Sequence, residues 1–126
     1  MTSFPAWALV WSAVLLLGGA GSVSRFLVDR TVARRMARAF PYGTLTVNVT
    51  GAALLGFLGA LALPAEAALL AGTAFVGAYT TFSTWMLETQ RLGEERQLLA
   101  AFANIMVASV LGMAAVLLGQ RAAGLL

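Results

Sequence analysis

Charged residues divide the chain into long uncharged runs at 4–24, 39–65, 67–87 and 97–120. Each run, coiled as a helix, is long enough to cross roughly 30 Å of bilayer hydrocarbon, which takes about 20 residues. None alternates apolar and polar positions with period two, and a peptide group in hydrocarbon must find its partner inside the protein, so helices rather than strands are predicted. The expected organisation is a single transmembrane domain, 1–126, with spans at about 4–24, 42–63, 67–87 and 97–120. No basic residue precedes the first run and it matches the others in length, which are features of a spanning helix rather than of a cleaved signal peptide.

The connections are short. Residues 25–38 read RFLVDRTVARRMAR, with apolar positions mixed among arginines as in a short interfacial helix. Pro41 and Gly43 punctuate the entry to the second span, and Pro64 followed by Glu66 predicts a tight turn into the third, with proline at a helix start and an acid in its first turn. The third connection, 88–96, is mixed in sign.

Composition sharpens this picture. Of 126 residues, 60% are hydrophobic and 10% charged, with a mean hydropathy of +0.88; a water-soluble fold of this size has no interior large enough to hide so much apolar surface. Cysteine and histidine are absent, which removes thiol nucleophiles, the common transition-metal ligands and the commonest general base. The net charge of +3 arises from eight arginines and no lysine, placed mostly beside the spans, so anionic lipid headgroups rather than nucleic acid are the expected neighbours. Arg25, Arg30, Arg34, Arg35, Arg38, Arg91 and Arg96 lie on the first and third connections against Arg121 on the terminal side. Taken at face value, this bias points both termini away from the cytoplasm.

Polar residues at bilayer depth are the candidate chemistry. The third span holds GAYTTFSTW, 77–85, in which Thr80, Thr81, Ser83 and Thr84 crowd the middle of an uncharged run. Hydroxyls can bond back to carbonyls one turn earlier while Gly77 admits a neighbouring helix. Four hydroxyls in five positions cannot all face one partner on a regular helix, so the pattern predicts a broken helix lining a cavity. In the second span Thr44, Asn48, Ala52 and Gly56 recur at four-residue spacing on one small, polar face. Small residues there also suit plain helix packing, but the Asn48 carboxamide must find partners or water. In the fourth span Asn104 and Ser109 lie about 140° apart around a helix, positions open to helix packing or to transport. In the first span, glycines at 18, 19 and 21 precede Ser22, Ser24 and Arg25, the last placed as a snorkelling anchor at a helix end.

No acid or base sits at mid-membrane in any run, unlike the titratable pathways of proton-coupled transporters. Uncharged hydroxyls and a carboxamide offer donors to an anion or oxygens to a cation. Aromatic edges favour the anion, and Phe82 lies within the hydroxyl cluster, with Phe75 seven residues earlier.

Three stretches, GGAGSVSRF at 18–26, YGTLTVNVTGAALLGFL at 42–58 and GTAFVGAYTTFSTW at 72–85, together resemble the signature segments of the CrcB, or Fluc, fluoride channels. The resemblance extends over nearly the whole chain. It implies an all-α integral membrane fold of four transmembrane helices, the third broken near mid-membrane, assembled as a dual-topology antiparallel dimer with two narrow pores. The implied function is passive, fluoride-selective conduction that lowers cytoplasmic fluoride across a bacterial plasma (inner) membrane. The resemblance further implies that backbone carbonyls at Gly77 and Thr80 hold a structural sodium ion on the dimer axis. Asn48 would line the pore with Thr44 one turn away, Phe82 would offer its ring edge to fluoride, and Thr81, Ser83 and Thr84 would supply hydroxyls along the track. Arg25 would sit in or near a vestibule.

The chain departs from the family pattern in three ways. Trp85 stands where a second phenylalanine is usual, so that an indole edge or N–H must substitute; Asn104 lies near the place of a common tyrosine; and the arginine bias is large for a dual-topology homodimer. A homodimer or a pair with an oppositely biased paralogous chain would accommodate the last. Two other classes compete with a channel. A small four-helix multidrug exporter would need a glutamate in the first span, and 4–24 contains no acid; a structural, holin-like subunit would tolerate substitution at Asn48, Thr80 and Phe82. Enzymatic activity is not expected, because no nucleophile and base pair can be assembled within the spans.

Overall fold

The computed structural model describes residues 4–126, so residues 1–3 of the expected domain lie outside the described residues. All regular structure among the described residues is helical. Helix α1, Phe4–Met36, is 33 residues long, about 50 Å at 1.5 Å per residue and longer than the hydrocarbon core is thick. The separate interfacial helix expected at 25–38 therefore does not exist as such; α1 runs on through Arg25 and Arg35. The sequence supplies the reason, since no glycine or proline lies between Gly21 and Pro41 to stop the helix. It ends where Ala37 turns left-handed, φ 43°, with its N–H still on the Ala33 carbonyl at 3.0 Å.

Pro41 leads into α2, Tyr42–Ala60. Left-handed Ala62, φ 50°, and Pro64 then turn the chain. Pro64, whose carbonyl accepts the Ala68 N–H at 2.9 Å, opens α3, Ala65–Ala68. The helical path widens to a π-helix over Leu69–Val76 and returns to α-helical geometry in α4, Gly77–Tyr79. Thr80 is extended, with ψ 158°, and helical structure resumes only with α5, Ser83–Glu94. Left-handed Arg96, φ 60°, and the Gln97 N–H on the Leu92 carbonyl close α5 before α6, Leu98–Ala123.

Among the described residues three helices are long and apolar enough to cross a membrane, Pro5–Met36, Tyr42–Ala60 and Leu98–Ala123. The burial pattern agrees with a lipid environment. Leu15 and Leu16 are each 75% exposed, whereas the interior is lined by small and medium residues such as Val47, Ala74, Val76 and Ala115. This is the packing of a multi-pass membrane protein, in which helices associate through close backbone approach. The most extensive pairing is α2 against α6. A Cβ on Gly119 would collide with the Ala53 carbonyl oxygen, and one on Gly56 with that of Val116.

Candidate functional site

The interruption between α4 and α5 leaves peptide groups without helical partners, and α2 supplies one. Thr80 N–H still bonds to the Val76 carbonyl at 3.0 Å, and the Thr80 hydroxyl donates to the same carbonyl at 3.1 Å. Thr81 is the first residue out of register: its N–H donates to Asn48 Oδ1 at 2.8 Å and its carbonyl accepts from Asn48 Nδ2 at 2.8 Å. The carboxamide thus replaces a peptide unit and satisfies both groups of one residue, which buried backbone requires. One turn further along α2, Gly51 makes room, since any Cβ there would collide with Thr80 Cγ2. Below the interruption the Tyr79 and Thr50 hydroxyls meet at 2.8 Å, and the Tyr79 ring stacks on Phe75 with centroids 6.2 Å apart.

Thr81 also starts α5. Its hydroxyl oxygen accepts the Thr84 N–H at 3.3 Å and donates to Thr84 Oγ1 at 3.1 Å, a side-chain cap on an otherwise orphaned first turn. The carbonyls of residues 77–80 lose their helical donors as a result, those of Gly77 and Thr80 among them. In an unbroken helix Gly77 O would take the Thr81 N–H and Thr80 O the Thr84 N–H; both donors are engaged elsewhere. Gly77 and Thr80 line one recess, with Gly72, Thr73 and Val76, of about 380 Å³. Uncompensated peptide oxygens of this kind are hard donors suited to alkali or alkaline-earth cations.

On the other side of the interruption lies a cleft of about 400 Å³, open to the surface, whose wall includes Asn48, Thr80, Thr81, Phe82, Trp85 and Ser109. It holds no charged side chain. Phe82 is 70% exposed and meets Trp85 edge-on, with centroids 5.9 Å apart and ring planes at 85°. The indole N–H is already used, donating to the Asn104 carbonyl at 3.1 Å. The Ser109 hydroxyl donates back to Ile105 O at 2.8 Å, which leaves its oxygen lone pairs as the polar feature it can present.

The remaining candidates lie elsewhere. Thr44 is fully buried and donates to Glu88 Oε1 at 2.8 Å. Thr84 lines a separate recess with Glu88 and Arg91, and Ser83 is exposed at the start of α5. Asn104 is buried behind Trp85, where its amide donates to Thr89 Oγ1 at 2.9 Å. Phe75 stacks on Tyr79 away from Phe82, and Arg25 is half-buried along α1 without an ion-pair partner among the described residues.

Sequence reasoning missed Glu88, Tyr79 and Thr89. Thr89 follows Trp85 by one helical turn, a spacing that was available; Glu88 shares no sequence spacing with Thr44, 44 positions away, and only the fold joins them. Burial raises the Glu88 carboxyl above its ordinary range and the Asp29 charge adds to this, against the opposing Thr44 hydrogen bond and the Arg91 charge.

Comparison with known proteins identifies the family. The family model described as CrcB-like protein, Camphor Resistance (CrcB), matches residues 12–120. The chain is 77% identical over 111 residues, 88% of either chain, to a protein of Mycobacterium tuberculosis named fluoride-specific ion channel FluC 2. It is 73% identical over 116 residues to the FluC 2 of Mycolicibacterium paratuberculosis, covering 92% of this chain and 95% of the relative. A third relative, FluC 1 of Leifsonia xyli, is 41% identical over 121 residues, covering 93% of this chain and 88% of the relative. With a match spanning most of its length and relatives this similar, the chain belongs to the CrcB-like family.

Proposed function

We propose that this chain forms a passive, fluoride-selective channel that lowers cytoplasmic fluoride across a bacterial plasma membrane. The observation that carries the reading is the Asn48–Thr81 clamp beside an uncharged cleft edged by Phe82 and Trp85. The third membrane segment is read as a helix broken at mid-membrane. Its first part, residues 65–79, is only about 22 Å long at α-helical rise and reaches across the hydrocarbon only together with α5. Irregular backbone at that depth survives where it lines a cavity.

A small anion in such a cleft meets weak, electropositive donors, chiefly the ring edges of Phe82 and Trp85, because the hydroxyl protons of Thr80, Thr81 and Ser109 are already given to Val76 O, Thr84 Oγ1 and Ile105 O. Without a fixed positive charge the ion is not trapped, and conduction requires binding weak enough to release. Fluoride that enters from an acidic medium as neutral HF dissociates in the less acidic cytoplasm and is trapped there as the anion. An inside-negative potential then drives the anion out at about 2.3 kcal/mol per 100 mV, enough for roughly a forty-fold outward gradient.

The cleft is open, so a second chain is needed to close it into a pore. An antiparallel dimer does this, with a structural sodium ion held on its axis by the released carbonyls of Gly77 and Thr80. The partner is an identical chain, with an oppositely biased paralogue as the alternative that seven arginines on one side against one on the other raise. Thr44, Ser83, Thr84, Ser109, Phe75 and Asn104 extend the polar track or support it, and Arg25 faces a vestibule. Efflux from proteoliposomes is the test: fluoride is expected to leave rapidly and chloride to be retained, and equal rates for the two ions defeat the proposal.

A further inference from the structure

Trp85 has two chemically different edges, an indole N–H that donates a full hydrogen bond and C–H groups that are only weakly electropositive. Which edge meets an ion determines how tightly the cleft can hold it. In the structure Trp85 Nε1 donates to Asn104 O at 3.1 Å. Asn104 Nδ2 donates to Thr89 Oγ1 at 2.9 Å, and Thr89 Oγ1 donates to Trp85 O at 2.9 Å. The first bond ends on the main-chain carbonyl of Asn104 and the second starts from its side-chain amide, so the three bonds close a ring through residue 104 that leaves Trp85 by its side chain and returns to its own carbonyl.

Each direction in the ring is set by the chemistry of the groups. The indole nitrogen can only donate, and the single Thr89 proton is committed to Trp85 O, so Thr89 must accept from Asn104, which orients the amide nitrogen toward it. Asn104 is 1% exposed and its Oδ1 has no partner among the described residues. Burying an unpaired amide oxygen is costly, and a leucine would fill the same space without that cost. A residue serving helix packing alone would not need the amide; its donor end is what the ring uses.

We infer that the Asn104 amide and Thr89 form a positioning latch that docks α5 on α6, keeps the Trp85 indole N–H on the main-chain carbonyl of Asn104 and turns the C–H edge of the ring, beside Phe82, toward a small anion in the cleft. The inference rests on the fluoride-channel reading and deepens it. A strong N–H donor in the cleft would bind a halide tightly and serve larger anions equally well. Two C–H edges bind weakly and reward only an ion small enough to approach both, which suits rapid passage with selectivity by size. Asn104 never touches the ion; it acts through Thr89 and Trp85.

The chain has three tryptophans, so a Trp7→Phe, Trp11→Phe background leaves Trp85 as the sole indole emitter. In that background the full chain is reconstituted, and both Trp85 emission and fluoride and chloride efflux are read. Asn104→Leu removes the bond to Thr89 with the same number of side-chain heavy atoms and leaves the main-chain carbonyl in place, Thr89→Val removes both Thr89 bonds at nearly constant volume, and Thr89→Ser keeps the hydroxyl. Asn104→Leu and Thr89→Val are expected to shift the emission to longer wavelength and to lower fluoride efflux about tenfold, the scale seen when groups that orient a site are removed. The double variant is expected to fall no further, and Thr89→Ser to match the background. Unchanged emission in both single variants overturns the latch, as does an emission shift with fluoride efflux untouched. So does a Thr89→Ser variant as impaired as Thr89→Val, a comparison that holds even if Asn104→Leu fails to fold. A background protein that passes no fluoride defeats the channel reading instead, and the emission measurement still reports on the latch.

Discussion

Asn48 and Thr81 exchange two hydrogen bonds of 2.8 Å each, the carboxamide of α2 standing in for the peptide unit that the interrupted helix lacks. Replacing Asn48 with alanine orphans an N–H and a carbonyl at once, and each unpaired buried group costs about 1–3 kcal/mol. Asn48→Asp keeps the acceptor but sets a carboxylate against the Thr81 carbonyl and in the wall of the uncharged cleft. Both variants are expected to lose fluoride efflux by about a hundredfold or more, measured with a fluoride electrode on proteoliposomes. Retained efflux in Asn48→Asp would remove the cleft from the transport path.

Phe82 separates a transport role from a structural one because it is 70% exposed. Phe82→Leu removes the ring edge with little loss of packing. Its stability in detergent is expected to stay within about 0.5 kcal/mol of the parent, while fluoride efflux falls about two- to tenfold as one aromatic-edge contact, roughly 0.5–1.5 kcal/mol, is lost at the rate-limiting position. Wild-type efflux would argue for a merely structural ring.

Glu88 gives a pH signature. Its carboxyl is raised above 4.5, first by burial and then by the Asp29 charge. A raised folded-state value means the folded protein binds the proton more tightly than the unfolded one, so the associated stability is present below about 4.5 and is lost as pH rises through the folded value. Glu88→Gln keeps an acceptor for the Thr44 hydroxyl and does not titrate. Thermal melts between pH 4 and 8 are expected to show the stability of the wild type, relative to Glu88→Gln, declining as pH rises. A flat difference would mean that Asp29 and the buried surroundings do not disfavour the charge.

Close approach of α2 and α6 depends on Gly119. Gly119→Leu has to push a side chain into the Ala53 carbonyl and Phe57 N–H, and overpacking of this kind costs about 1–3 kcal/mol or more. Gly93 is the control: nothing lies within 4 Å of a Cβ there and its φ is not positive, so Gly93→Ala is expected to be neutral or stabilising by up to about 1 kcal/mol. Melting temperatures in one detergent compare the two directly.

Much of the helical architecture was legible because charge placement alone limits where helices can enter hydrocarbon. The tight turn at Pro64–Glu66 followed from local chemistry as well. The extent of α1 was misjudged from amphipathic composition at 25–38. Arginines mark an interface by charge, yet they favour helix propagation, and without glycine or proline the helix continued to Met36.

Site residues were harder to read, for a geometric reason. Helical periodicity assigns faces only while the helix is continuous, and the extended Thr80 resets the rotation between the residues before it and those from Ser83 onward. Composition and spacing therefore determined that hydroxyls, a carboxamide and aromatic rings would gather in uncharged helical segments. Tertiary structure decided which of them share a wall: Asn48 with Thr81, Thr44 instead with Glu88, and the Trp85 N–H turned to Asn104. Local pattern governs what a segment can become, but pairings across 19 to 44 positions depend on how helices approach one another, and that is settled by packing.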